Sequence, residues 1–329
     1  LIGAGHDVRL LVRSPEKVEP TFAALGVTPP ADVHRGDVID GDSISRAMEG
    51  RDAVLHAASV FSFDRRQRGT LLATNVAGTR HIIETAIAAN LDPIVHVSSY
   101  GAIVPAKDGR ISHDSPPSTG EGPYSASKAD SERVAREYQE QGLPVVTVMP
   151  GSVWGPADPY LGESHQLAVA ILKGQMRMLP RNGFVPIVDV RDLAAAMARV
   201  FEPGLGPRRY LMGGQLVSPA GIADLIGELT GKKRRYLPTP NSIGRQGGVA
   251  FDLMQRVSPW RLPLTRESAR MGTQRLVEVD DSRAVADLGF APRPLAESVA
   301  DTVRWLAENG HVSTRQAGRL AAREAVATG

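Results

Sequence analysis

Along the first half of the chain, continuous apolar runs alternate with stretches whose apolar residues return every three or four positions. The runs at 8–12, 32–37, 52–58, 94–99 and 144–149 read as strands, and the stretches at 15–25, 43–48, 75–90 and 125–141 read as helices. The stretch 75–90 shows the spacing best, with Val76, Ile82, Ile83, Ala86 and Ile87 on one side. Strands that are apolar throughout are buried on both faces. The alternation therefore predicts an α/β fold, a Rossmann-type, doubly wound parallel sheet.

After Pro150 the rhythm breaks. Residues 150–181 read as loop and one helix, 187–201 as a strand-like run and helix, and 209–212 as a short strand. From Ser218 a helix, a strand at 235–237, a mixed segment and a helix at 295–309 follow. The expected division is a main domain over 1–149, completed by about 186–213, and a smaller C-terminal domain over 150–185 and 214–310. The tail 311–329 alternates Arg and Ala without an apolar face and is expected as surface helix or disorder. At the other end, residues 1–5 read as the last turn of a helix closed by a Gly C-cap, with no strand or Gly-rich turn ahead of it. The expectation is a fragment lacking its first strand, that turn and most of one helix, about twenty residues.

Composition narrows the chemistry. The 329 residues are 42% hydrophobic and 22% charged, values of a folded chain with a sizeable core. Thirty-eight basic against 36 acidic residues leave +2, no footprint for nucleic acid or an anionic membrane. The absence of cysteine removes disulfides, thiolate nucleophiles and zinc-thiolate sites, and fits a cytoplasmic location. No run approaches the about eighteen apolar residues of a membrane span. The eight histidines show no metal-ligand spacing, so no metal site is expected; His56 and His96, inside apolar strands, read as core residues. The basic run Lys232 to Arg235 follows a helix ending at Gly231 and reads as cations attracted by the helix C-terminus.

The most informative stretch is Tyr124-Ser-Ala-Ser-Lys128. Tyr and Lys four apart on a helix face the same way. An ammonium beside a phenol favours the phenolate and brings the group toward working pH, which suits proton transfer at a carbonyl oxygen. Upstream, Ser98-Ser99 closes an apolar strand at the C-terminal sheet edge, where open α/β folds place their ligands.

Six blocks in this order carry a resemblance: Asp52 to Ala58, Asn75-Val-Ala-Gly-Thr79, Val97-Ser-Ser99, Tyr124 to Lys128, Pro150-Gly-Ser-Val-Trp-Gly-Pro156 and Val188-Asp-Val-Arg-Asp192. The chain is similar to extended short-chain dehydrogenases/reductases, in the NAD-dependent epimerase/dehydratase group. Within that group it resembles the branch of dihydroflavonol-reductase-like and 3β-hydroxysteroid-dehydrogenase-like proteins. The resemblance implies that the main domain binds a dinucleotide and the smaller one a substrate. It implies Tyr124 as general acid/base, Lys128 on the nicotinamide ribose, and Ser99, rather than Ser98, orienting the substrate oxygen. It places Asp37 and Val38 at the adenine, Ala57 and Ala58 under the diphosphate and ribose, and Asn75 on the cofactor side. Pro150, Gly151 and Val153 would border the nicotinamide. A homodimer through the helices that begin near Asn75 and Ser125 is also implied.

Arg13-Ser14 stands where an acidic residue would accept the adenosine ribose hydroxyls. A guanidinium there can pair with a 2′-phosphate, which favours NADP over NAD. Met149 and Ser152 replace the Arg and Asn usual in nucleotide-sugar enzymes of the group. Tyr100 and Trp154 are the candidates for the substrate side, with Phe61, Phe63, Phe251, Met254 and Trp260, an apolar set suited to a lipophilic molecule. The expected activity is oxidoreduction between a secondary alcohol and a ketone on such a molecule. The alternatives are a nucleotide-sugar epimerase or dehydratase and a non-catalytic dinucleotide sensor.

Overall fold

The structure is a computed structural model that describes residues 1–62, 65–120, 122–255 and 266–321. The chain forms two compact units: residues 1–150, 193–213 and 280–290 make the first, and 151–192, 214–279 and 291–329 the second.

In the first unit, Leu1 to Gly5 forms a short 3₁₀ turn whose Gly5, at φ 85°, adopts the left-handed conformation expected of a C-cap. Strand β1 (Leu10–Val12) is followed by helix α1 (Val18–Ala23), and β2 (Val33–Arg35) pairs parallel with β1. Helix α2 (Gly41–Met48) starts at Asp40, whose carboxylate accepts the Asp42 amide. Strand β3 (Val54–His56), helix α3 (Arg68–Leu71), a π-helical turn (Leu72–Ala77) and helix α4 (Gly78–Ala88) lead to β4 (Ile94–Val97). A short strand β5 (Arg110–Ser112) precedes helix α5 (Pro123–Glu140) and strand β6 (Val145–Pro150).

Strands β3, β4 and β6 lie side by side, all parallel, as the apolar runs predict. All six residues of β6 are buried, the mark of a strand covered on both faces. Ile44 and Met48 of α2, Ile82, Ile83 and Ala86 of α4, and Val134 and Ala135 of α5 pack with Ile94 and Val145 in one core.

The second unit contains β7 (Ser152–Trp154), helix α6 (Glu163–Leu172), β8 (Met178–Pro180) and β9 (Val185–Asp189), after which helix α7 (Val190–Met197) carries the chain back to the first unit. There β10 (Arg208–Met212) joins β6, giving the parallel order β10-β6-β4-β3. Returning to the second unit, β11 (Gln215–Val217) pairs with β9, helix α8 (Pro219–Thr230) comes next, and β12 (Leu237–Thr239) pairs with β8. Helices α9 (Asn241–Gln255), α10 (Arg266–Met271), α11 (Ser282–Leu288) and α12 (Leu295–Glu308) complete the main course; α11 belongs to the first unit, where Arg199 donates to the Leu288 carbonyl at 2.8 Å.

Four expectations need correction. The segment 186–192 belongs to the second unit, because β9 bonds to β7 and β11 instead of the main sheet. Residues 280–290 lie in the first unit, tied there by Tyr210 to Asp287 and by the Gly213 amide to Asp281. The described part of the tail is helical over Thr314–Ala317, as one alternative had it, but it is not confined to the surface: Val312 and Ala317 sit in the core with Ile226, Val303 and Leu306. The strand expected at 235–237 forms two residues later.

Candidate active site

The site is assembled around the start of α5. Gly122 is its N-cap and Pro123 its first residue, where a missing amide hydrogen costs nothing, so Tyr124 falls in the first turn and Lys128 one turn on. Both side chains are buried. The Lys128 ammonium donates to the Val97 carbonyl at 3.4 Å, which brings it to the end of β4, next to Ser98 and Ser99. Ser99 Oγ accepts the Gly101 amide at 3.0 Å and so fixes the backbone beyond the strand. Ser98 Oγ is buried on the side of the Glu132 carboxyl, whose pKa it helps hold down.

Asn75 holds a third segment in place. Its Oδ1 accepts the Val60 amide at 2.7 Å, and its Nδ2 donates to the Val60 carbonyl and to Ser127 Oγ, both at 3.0 Å. Ser127 in turn donates to the Tyr124 carbonyl at 2.8 Å. The loop after β3 is therefore referenced to the first turn of α5, and the next residue, Phe61, sets its ring 4.4 Å from that of Tyr124. The π-helical turn makes this possible. The Asn75 carbonyl takes hydrogen bonds from Thr79 at 2.6 Å and from Ser131 of α5 at 2.7 Å.

Electrostatics derive from burial. Desolvation brings Lys128 down to about 8, with the Glu132 carboxylate opposing that shift. Glu132, fully buried on the next turn of α5, is itself pushed up by burial, against Arg136, whose Nε donates to it at 2.8 Å. Burial, and secondly Tyr124, raises Tyr100 far above the usual phenol value. His56 and His96 stack with centroids 5.6 Å apart. Burial, then Lys128, lowers His56 to about 4; burial, then His56 and Lys128, lowers His96 well below its ordinary value. Both rings are neutral at pH 7. The spacing Lys128–Glu132 was available in the sequence as an i,i+4 pair but says nothing of burial; the π-turn leaves no sequence signal we can identify.

The remaining candidates separate. Arg13 and Arg35 are exposed at the ends of the paired strands β1 and β2. Ser14 precedes the 3₁₀ turn Pro15–Lys17 without capping it through its side chain. Asp37 turns its Oδ1 to the Ile39 amide, and Val38 packs against Gly78 so closely that a Cβ there would lie 2.8 Å from it. Ala57 and Ala58 are exposed after β3, and Pro150 is buried at the end of β6. Gly151 and Val153 belong to the second unit. Trp154, expected on the substrate side, is 1% exposed and belongs to the core that holds Ile187 and Val303. Tyr100 is buried. Phe63 and Trp260, and the side chains of Phe251 and Met254, lie outside the described residues.

A dinucleotide suits the residues present. An ammonium has three donors, and one long bond to Val97 leaves the Lys128 charge, buried as it is, short of acceptors that ribose hydroxyls supply. The exposed Ala57 and Ala58 let a ligand approach the backbone at the sheet edge. Among the described residues no cluster of three or more His, Asp or Glu is arranged to hold a metal ion, and no helix is long and apolar enough to cross a membrane.

Known proteins share the family and the fold of this chain. The profile of the NAD dependent epimerase/dehydratase family matches residues 1–213. The chain is 29% identical, over 96% of its length and 92% of the relative's, to a Synechocystis sp. protein named as a dihydroflavonol 4-reductase. It is also 29% identical to sterol demethylase protein B of Methylococcus capsulatus, over 95% of this chain and 94% of that one. Its fold superposes on UDP-glucose 4-epimerase from Bifidobacterium longum, solved with NAD+ and UDP, with a TM-score of 0.71 at 18% identity, covering 94% and 93% of the two chains.

Proposed function

Because the chain belongs to the NAD-dependent epimerase/dehydratase family, we propose that it interconverts a secondary alcohol and a ketone on a small or medium lipophilic molecule. The observation that carries this reading is the buried Lys128 ammonium one helical turn from Tyr124, at the strand end that presents Ser99. Tyr124 gives its phenolic proton to the carbonyl oxygen in reduction and takes it back in oxidation. Ser99 holds that oxygen, and Lys128 favours the phenolate that remains. Lys128, Ala57 and Ala58 would hold a nicotinamide dinucleotide, with Asp37 at the adenine and Pro150, Gly151 and Val153 beside the nicotinamide; when bound, the dinucleotide supplies or accepts the hydride. Asn75, expected on the cofactor side, has its buried amide committed to Val60 and Ser127 and acts by positioning the loop after β3. The exposed Arg13 supports NADP as the form preferred over NAD.

The Phe61 ring beside Tyr124, and Met149 and Ser152 in place of a polar pair, support a lipophilic substrate over a nucleotide sugar. The test is Tyr124→Phe. Ketone reduction is expected to fall by about 10²–10⁴-fold while dinucleotide affinity stays within about twofold. Retained turnover removes Tyr124 from the mechanism, and turnover of a nucleotide sugar without net NAD(P)H change replaces this reading with an epimerase.

A further inference from the structure

The second unit contains a cavity of about 350 Å³ that the proposed reaction does not use. Ile171, Leu172, Leu179 and Ala223 form its apolar floor, and Lys173, Arg177, Lys233, Arg234 and Arg235 surround it. No Asp or Glu is among the residues lining it. The volume falls in the range of small-molecule sites.

Lys173 follows α6 and the run Lys233 to Arg235 follows α8, so attraction to two helix C-termini is the simplest account. Magnitudes decide against it. Two helix ends together present about one negative charge, and five cations are gathered here. Both ends are already served: Arg234 Nη1 donates to the Leu172 carbonyl of α6 at 3.2 Å, and Arg319, outside the cavity lining, donates to the Glu228 carbonyl in the last turn of α8 at 2.7 Å. The nearby carboxylate of Asp224 is committed to the Tyr236 hydroxyl at 2.6 Å and to Arg181 at 3.7 Å. Among the described residues, Lys173, Arg177, Lys233 and Arg235 have no side-chain ion pair or hydrogen bond. Burial already presses Arg234 below its ordinary value, and its Nε is buried without a partner. An anion would relieve a ring of like charges that nothing in the lining of this cavity neutralises.

We propose that this cavity binds an organic phosphate, its phosphoryl oxygens on the cationic rim and its apolar part on the floor. The proposal is independent of the role given to Tyr124. Calorimetry on the full chain, with hexyl phosphate and inorganic phosphate as probes, tests it. Hexyl phosphate is expected to bind at least about tenfold more tightly than phosphate, with an affinity that falls as salt rises. The variant K233Q/R235Q, altered only at exposed side chains, is expected to weaken it by about tenfold or more, and saturating NADPH to leave it unchanged. Absence of saturable binding, equal affinity for the two probes (an adventitious ion only), indifference to K233Q/R235Q, or displacement by NADPH overturns the assignment.

Discussion

The side-chain amide of Asn75 joins Ser127 of α5 at 3.0 Å while its other face clamps both backbone groups of Val60. One residue thus fixes the loop that carries Phe61 to the helix that carries Tyr124. Asn75→Ala is expected to leave a buried network unsatisfied and to cost about 1–3 kcal/mol in urea denaturation. Turnover of the folded variant should fall as well, because Phe61 loses its reference to Tyr124. A variant with wild-type kcat would show that the clamp is structural alone.

Lys128 ties the proposed reaction, and the stability of the fold, to pH. Its value of about 8 lies below the ordinary 10.5, so between these limits the unfolded chain holds a proton that the folded chain has released. Stability contributed by this site therefore rises as pH increases from about 8 to 10.5, and below pH 8 the charge is a burden. Lys128→Met should raise stability at pH 7 by an amount on the order of 3 kcal/mol while abolishing turnover. In the unaltered protein, KM for the dinucleotide should climb above about pH 8. A pH-independent KM from about 7 to 9.5 would contradict the ribose role.

The stacked histidines act on the acid side. His56 resists protonation until about pH 4, whereas the unfolded residue takes its proton near 6.5. Stability should be full above about pH 6.5 and decline as pH falls toward 4, by an amount on the order of 3 kcal/mol from His56. His56→Leu combined with His96→Leu should flatten that acid slope in denaturation curves between about pH 7 and 4.5. An unchanged slope would mean that other groups govern acid unfolding.

Arg13 and Arg35 stand at adjacent strand ends, since Val12 pairs with Arg35 in the parallel register. Arg13→Leu is expected to weaken NADPH by about tenfold or more and to leave NADH nearly unchanged, measured by fluorescence titration. Equal losses for both dinucleotides would place the 2′-phosphate elsewhere.

Much of this was legible in the sequence, for identifiable reasons. Val145 to Pro150 and Ile94 to Val97 are apolar throughout but for Thr147 and His96, and such runs have few homes other than a central parallel strand. The spacing of Tyr124 and Lys128 needed only the helix period. The helix expected from Asn75 instead begins its course at Arg68, because the π-turn shifts the apolar phase at 72–77 and breaks the pattern that periodicity relies on. Residues 186–192 look like one more buried strand of the main sheet, yet β9 bonds to β7 and β11; an apolar run states that it is buried without saying under what. Trp154 illustrates the same ambiguity, since a large aromatic suits a ligand wall and a core equally well.

The π-turn also sets how this helix tolerates length changes. It accommodates one residue beyond what an α-helix would hold, so deleting a residue between Leu72 and Ala77 would let the backbone heal into regular helix. Because the wide turn absorbs its extra residue within one revolution, the healing would change the phase of α3 against α4 by only about 20°, and Leu71 and the buried face Ile82–Ile83–Ala86 would still point inward. The same deletion inside Gly78–Ala88 would rotate the buried face by about 100°, so a deletion scan should find the π-turn more tolerant than the regular helix that follows it.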